Sequence, residues 1–517
     1  MEVNNKAPEA ISMQGLDGGP RETDQESIYY KQTRTRRLFS EKQLFALNVV
    51  MYGACYYVGT NTYLVMLNGG PRAWLFSFFF VAAGVACQVA SFAELASIQP
   101  IAGAQYYWTF NYAPPSVNVF LTWLQGWSTW LGYVSMISSN VTGGVITMQG
   151  IINIAKPEWV PAGWQTTLIT LAYLSLCTAL NLWWFRAVPW FETMSGILNA
   201  LLFVVVVIIV WTMAPRAGMD VFLIKSNAGG WGDFVSYNIG SISNLFLFIA
   251  FESIVHLGEE TRNPKRAVPS SMFWGFLAKV AMAFVMIITF GSAFPGIDVI
   301  LTSVSPLATF INYATSSPNS SIAILSCMLF SMVAASIGNF WSISRLTWAW
   351  ARGGGLPKYF AMVDGKPRIP MRAVSGTALI IALLSLLFPN DRAFIAIGAI
   401  GSLSSISLYV SYIIGLGCII YFRLANPGCF QRGEWSCGRL GLPVNIFALI
   451  YTGWEVVWLP FPNALPVAGA NMNYAGPVYV ALLVMAVSYW FSWARRHWEG
   501  PNMKVVEIVL QNDDASK

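Results

Sequence analysis

The stretch "FLFIAFESIVHLGEETRNPKRAVPSS", residues 246–271, begins as an oily run and ends in clustered charge. Its first half contains Glu252 and His256, and its second half contains Glu259, Glu260, Arg262, Lys265 and Arg266. A charged side chain at the centre of a bilayer helix costs about 2.5–3.5 kcal/mol on insertion scales, whereas at the surface it costs little. Where lipid ends within these 26 residues therefore decides which charges need a special reason to be there.

The surrounding sequence answers part of that question. The chain has 517 residues, 56% of them hydrophobic and 10% charged. Its mean hydropathy is +0.54, and a soluble domain carries about 25% charged residues. Apolar runs of bilayer length, about 20 residues, recur from end to end. Bounded by Pro, Gly and charge, they predict twelve helices at 41–67, 73–98, 117–146, 164–182, 188–213, 236–257, 272–294, 319–344, 373–389, 393–422, 441–461 and 474–494. The expected class is an all-α, polytopic membrane protein with twelve transmembrane helices. Residues 1–40 are polar, lack the apolar core of a secretory signal, and read as a disordered cytosolic tail. Residues 495–517 read as a second cytosolic tail. The net charge of +6 lies in loops and points to no nucleic-acid partner. Five of the seven cysteines fall in apolar runs, where a thiol acts as a small hydrophobe. Cys429 and Cys437 share a loop without a second ligand pair, so neither a metal nor any other cofactor is expected.

Lysine and arginine orient the spans. With both termini inside, the external loops hold Arg72, Lys156, Arg216, Lys225 and Arg392, Lys279 lies within the seventh span, and the other 24 basic residues are cytosolic. The acceptor pattern Asn319-Ser320-Ser321 then falls in an external loop as a glycosylation candidate, while Asn140-Val141-Thr142 lies inside a span. On this orientation residues 248–257 are in the membrane. From Gly258 onward the chain is cytosolic and its charges are expected to be hydrated. Glu252 and His256 remain to be explained, and four-residue spacing puts them on one face of an α-helix.

Two spans look broken. Span 1 reads "NVVMYGACYYVGTNTYL", with Gly53 and Gly59 among small and polar residues. Span 6 reads "SYNIGSISNLFLFIAFES", polar in its first half and carrying Glu252 in its second. Glycine is a weak helix former, and interrupted helices in corresponding positions of two halves mark the binding site of a secondary transporter. Spans five apart in such halves imply a five-plus-five inverted repeat, here about 41–213 and 236–422, with extra helices at 441–461 and 474–494. Close packing at glycine is the plainer alternative for either span alone.

Several motifs carry a family resemblance. "SFAELASIQPIAGAQYYW" (91–108) with "APPSVNVFLTWLQGW" (113–127), "FIAFESIVHLGEETRNPKRAVP" (248–269) and "SRLTWAWARGGGLP" (344–357) resemble the amino acid–polyamine–organocation superfamily of permeases. "LPFPNALPVAGANMNYAGPVYV" (459–480) is similar to its fungal amino acid/choline branch, which includes GABA and choline permeases. The resemblance covers residues 40–495. It implies the broken-helix inverted-repeat fold and alternating access, with proton-driven uptake of a small amine or amino acid at the plasma membrane. Carried over by motif, Phe248, Ile249, Ala250 and Phe251 form the unwound part of helix 6, and Gly53, Ala54 and Cys55 form its counterpart in helix 1. The superfamily's usual Gly-Ser-Gly run is missing there, which weakens the case for a standard carboxylate nest.

Beside these, Glu252 is the candidate partner of a substrate ammonium or carrier of the coupling proton, since an intramembrane acid is functional by default. A carboxyl bonded to nearby Tyr, Ser or backbone is its structural alternative. His256 could extend a proton relay or be a satisfied histidine. Glu94 is a candidate gate residue, pairing with a basic residue such as one in the loop after span 8. Glu192 opens span 5, where the helix dipole favours it, and Lys279 is expected to snorkel. Trp123, Trp127, Trp130 and Tyr133 form an aromatic stripe, either packing or a cage for a quaternary ammonium, with Trp130 and Tyr133 the favoured contacts. Span 8 offers Ser331, Ser336 and Asn339 but no carboxylate, which favours protons over sodium as the coupling ion.

An enzyme is not expected, since the chain has two histidines in all and no nucleophile or phosphate-binding pattern in context. A nutrient sensor on the permease fold would carry longer cytosolic extensions. The expected function is a permease for a small amino acid or GABA-like amine, with choline, another quaternary amine or a polyamine as the alternative.

Overall fold

The structure is a computed structural model that describes residues 37–51, 53–364, 369–385, 393–469 and 471–503. The expected tails, at 1–36 and 504–517, lie outside the described residues, as do Tyr52, Lys366, Arg368 and Arg392. The described chain is helical throughout, its one β feature being an isolated bridge between Phe39 and Thr261.

In chain order the helices are α1 (Glu41–Met51), α2 (Ala54–Thr60), α3 (Thr62–Leu67), α4 (Gly70–Ile98), α5 (Ala104–Tyr112), α6 (Asn118–Ala155), α7 (Gly163–Trp183), α8 (Val188–Met213) and α9 (Asp233–Phe248). A 3₁₀ segment, Ser253–Glu260, follows α9. Then come α10 (Pro264–Ser292), α11 (Ile297–Leu301), α12 (Pro306–Thr315), α13 (Pro318–Arg352), α14 (Met371–Ser385), α15 (Ala393–Ala425), α16 (Gly441–Trp458) and α17 (Ala475–Tyr489). Among the described residues nine helices are long and apolar enough to cross a membrane. The other three expected spans are also helical. Span 1 is cut into α1, α2 and α3; span 9 is described over 15 residues; span 3 is α6, 38 residues long and rich in Ser, Thr and Gly. α6 extends nine residues past its expected end at 146, because "TMQGIINIA" contains no helix stop. The short helices α5, α11 and α12 were not expected from hydropathy, each being too short to span.

Burial sorts the helices by role. The most apolar stretch of α8 is 28% buried, against 78% for that of residues 233–260. α8 therefore offers its side chains to lipid, with Leu201, Val204, Val205 and Ile208 exposed, while α9 and its continuation form the centre of the bundle. Close approach there depends on glycine. A Cβ on Gly240 would fall 2.0 Å from the Asn68 carbonyl oxygen, and one on Gly258 would fall 2.1 Å from that of Pro100.

The end of the expected N-terminal tail is pinned. Leu38 and Phe39 donate backbone hydrogen bonds to the Glu260 carbonyl at 2.7 and 3.0 Å, and Arg262 N–H donates to the Phe39 carbonyl at 2.9 Å. Phe39 is fully buried, edge-on to Trp341 at 6.3 Å. Residues 37–40 therefore belong to the folded body, because one apolar side chain finds a pocket beside the 258–264 turn.

Candidate transport site

Both expected breaks are present and are stitched together by a third helix. α1 stops at Met51 and α2 restarts at Ala54, with Gly53 between them in a non-helical conformation (φ −48°, ψ 101°). Of the three residues nominated there, Gly53 is the break, whereas Ala54 and Cys55 open α2. The Tyr56 hydroxyl reaches back across the gap to the Val50 carbonyl at 3.1 Å. In span 6 the helix ends at Phe248, Ile249 turns extended and Ala250 adopts φ +58°. A left-handed alanine costs about 1–2 kcal/mol, and such strain persists where surrounding packing over-determines it. On α13, Asn339 Nδ2 donates to the Met51 carbonyl at 3.4 Å and Ser342 Oγ to the Ser253 carbonyl at 2.7 Å. The last carbonyls of a helix lack intrahelical partners, and α13 satisfies one at the end of α1 while its Ser342 anchors the first residue after the second break.

Beside the breaks lies a cavity of about 310 Å³. Tyr57, Thr60 and Asn61, Met136 and Asn140 of α6, Ile249, Ser404 and Ser405 of α15, and Asn473 are among its lining. The described lining is uncharged. Ile249 lines it, and Ala250, Phe251 and Glu252 follow in the break, all buried, whereas Phe248, expected in the unwound part, is the last residue of α9.

Glu252 is fully buried. Gln105 Nε2 donates to its Oε1 at 3.2 Å and the Tyr412 hydroxyl donates to its Oε2 at 2.5 Å. The Tyr133 hydroxyl faces the same carboxyl. His256 does not share a face with Glu252, because residues 253–260 wind as a 3₁₀-helix of three residues per turn, and a step of four turns the side chain away. Its Nδ1 instead accepts from the Gly103 N–H at 3.3 Å, and its ring meets Tyr133 edge-on at 4.8 Å. Tyr133 thus stands between the two titratable groups. Gln105 and Tyr412 were missed as partners, since neither α5 nor the facing of span 10 can be read from hydropathy.

Of the charges after Gly258, Arg262 and Arg266 are exposed and Lys265 is half-exposed as expected, but Glu259 and Glu260 are not hydrated. Arg352 clasps Glu259 bidentately at 2.7 and 3.1 Å. Arg345 Nε and Trp341 Nε1 each donate to Glu260 at 2.8 Å. Both arginines lie on indole faces, Arg345 on Trp341 at 3.9 Å and Arg352 on Trp348 at 4.2 Å. Glu94 pairs with Arg423 at the end of α15 and accepts from Ser436 Oγ and the Cys437 N–H. A partner from the loop after span 8 was expected; the arginines of α13 are instead taken by Glu259 and Glu260. Three buried ion pairs therefore close one end of the bundle while the cavity lies toward the other.

Other candidates fall elsewhere. Glu192 is one turn inside α8 rather than at its first turn, fully buried, with neither carboxylate oxygen hydrogen-bonded among the described residues. Trp123 packs among Trp350, Tyr489, Trp490 and Trp498, and Trp130 Nε1 donates to Thr347 at 3.0 Å, so of the stripe only Tyr133 reaches Glu252. Asn319 is exposed in the first turn of α13, not in a loop. No cluster of His, Cys, Asp and Glu fit for a metal occurs among the described residues.

Lys279 does not snorkel. Its Nζ donates to the Leu247 carbonyl at 3.0 Å, in the last turn of α9, and sits 5.5 Å from the Phe248 ring centre. A cation at a helix C-terminus is favoured by the dipole, here at the end created by the break. Lys279→Met keeps the apolar stem and is expected to lower thermal stability in detergent, since a hydrogen bond involving a charged group contributes about 1.5–3 kcal/mol. Unchanged melting would show that Lys279 does not hold the break.

The sequence matches the protein family described as "Amino acid permease" over residues 42–485. It is 25% identical to a protein named choline transporter from Saccharomyces cerevisiae, over 88% of this chain and 81% of that one. It is also 25% identical to an uncharacterized amino-acid permease of Schizosaccharomyces pombe, over 92% and 87%. A third relative, transmembrane transporter swnT of Metarhizium robertsii, is 26% identical over 86% and 87%.

Proposed function

The chain belongs to the amino acid permease family and is a multi-pass membrane transporter, not an enzyme, and from that premise we propose proton-coupled uptake of a small amino acid or GABA-like amine. Twelve spans in a five-plus-five inverted repeat, with both termini cytosolic at the plasma membrane, complete the reading. Its main support is the break at 249–252, where Ile249 lines the cavity and the buried Glu252 carboxyl closes the same interrupted segment. An ammonium group suits Glu252, and a carboxylate suits backbone N–H groups at helix ends. A zwitterion or GABA uses both, in a cavity whose described lining brings no countercharge of its own. The closed ion-pair end and the cavity at the other end correspond to an outward-facing arrangement in alternating access.

The alternative cargo is choline, favoured by the relative named choline transporter. Radiolabelled uptake in permease-deficient yeast, with a substrate panel and a protonophore, separates the two. Competition by amino acids or GABA and collapse with the protonophore are the expected results. Competition by choline alone would move the substrate to the quaternary amines, and indifference to the protonophore would remove proton coupling.

A further inference from the structure

A second buried carboxyl lies outside the site just described. Glu455 is in the last turn of α16, fully buried, and among the described residues neither of its oxygens is hydrogen-bonded to another helix, the Tyr451 phenol of its own helix being the hydroxyl that faces it. A carboxyl that braced two helices would be bonded to both, since an unpaired buried polar group costs free energy and stabilises nothing. What faces Glu455 is instead the first of a series of tyrosine rings leading inward. Tyr451 is one turn earlier on the same face, its ring seated on Gly84, where a Cβ would fall 2.2 Å from the ring. Tyr409 of α15 lies 6.4 Å from Tyr451 and 5.5 Å from Tyr412, centre to centre. The Tyr412 hydroxyl is bonded to Glu252 at 2.5 Å.

We propose that Glu455 is a second proton-carrying carboxyl of the transport cycle, exchanging protons with Glu252 through the Tyr451, Tyr409 and Tyr412 phenols. The proton then reaches the break in helix 6 through the face between α4, α15 and α16, apart from the cavity that takes the cargo. The inference rests on the proton-coupled reading above. In the transfer each phenol oxygen accepts a proton as it releases its own. Glu455 ends one proton poorer and Glu252 one richer, with no electrons moved and no further reactant. The titratable groups presented to Glu455 are Tyr451 on its own helix and Tyr409 on α15. α4 presents the neutral Gln88, which donates to Thr452 at 2.8 Å, and α9 presents Asn238, which accepts from Trp454 at 3.2 Å. None of these groups brings a positive charge that would fix Glu455 as one half of an ion pair.

The test uses the full-length chain in permease-deficient yeast, measuring initial uptake of its cargo against external pH together with KM and the amount of protein at the surface. Glu455→Gln and Tyr409→Phe are each expected to abolish acid stimulation of uptake, since a positioned proton-transfer group contributes about 10²–10⁴-fold, with KM unchanged. A purely structural Glu455 would change surface protein and leave the pH profile alone. If wild-type uptake ignores pH and the protonophore, the proton-coupled reading fails and takes this inference with it. If wild type responds to pH, Glu252→Gln flattens the profile and both Glu455→Gln and Tyr409→Phe keep it, this inference alone is overturned. Should Glu455→Gln not reach the membrane, Tyr409→Phe decides by the same readout.

Discussion

Glu252→Gln is expected to impair uptake more than any other single replacement of a titratable side chain within the membrane. The substitution keeps the shape of the side chain and removes its charge. It also turns one of the two oxygens, to which Gln105 and Tyr412 separately donate, into an amide NH₂, so one of these contacts must be rebuilt with the opposite sense. If Glu252 pairs with the substrate ammonium, the loss of a charge-assisted bond of about 1.5–3 kcal/mol raises KM roughly 10- to 150-fold and leaves the response to pH in place. If it carries the coupling proton, KM stays near wild type and acid stimulation disappears. Uptake kinetics at several external pH values, normalised to surface protein, distinguish the two. Unchanged KM together with an unchanged pH profile would remove Glu252 from the mechanism.

The residues that announced themselves in the sequence did so by breaking a pattern. Gly53 within an apolar span, and Glu252 after an oily run, are violations of helix propensity and of bilayer solvation, and both lie at the observed breaks. Partners could not be read in the same way. His256 looked like a neighbour of Glu252 because α-helical spacing was assumed; the left-handed turn at Ala250 and the 3₁₀ segment after it changed the periodicity at that point. Glu94 could be seen to need a cation, but Arg423 lies 329 residues away, and which helix end meets which is a property of packing. Lys279 was read from its own span alone, while its role depends on a carbonyl freed in another. The hydration expected of Glu259 and Glu260 failed for a related reason. The positive-inside rule places charge on a side of the membrane and says nothing about whether α13 will then bury it against arginine and tryptophan.

That buried pair gives the second large effect. Glu260→Gln is expected to be severely destabilising, because it leaves Arg345, 1% exposed at the side chain, as a buried charge without its counterion. Breaking a buried pair on one side costs about 3–5 kcal/mol, whereas replacing both partners by apolar groups of similar volume is often neutral. The single variant should therefore melt well below wild type or fail to accumulate, and the double variant Glu260→Leu with Arg345→Met should regain thermal stability in detergent. Recovery of stability need not bring recovery of transport. Glu260 also receives Trp341 and, through its carbonyl, Leu38 and Phe39, so it ties the start of α1 and the end of α13 to the 3₁₀ segment. If these contacts close the cytosolic gate, the double variant will be stable yet leak toward the inward-facing form, which cysteine labelling at the ion-pair end would detect as increased accessibility. A double variant as unstable as the single one would show that the ion pair stabilises beyond the hydrophobic equivalent. Wild-type labelling in a stable double variant would show that closure rests on Glu259–Arg352 and Glu94–Arg423 without it.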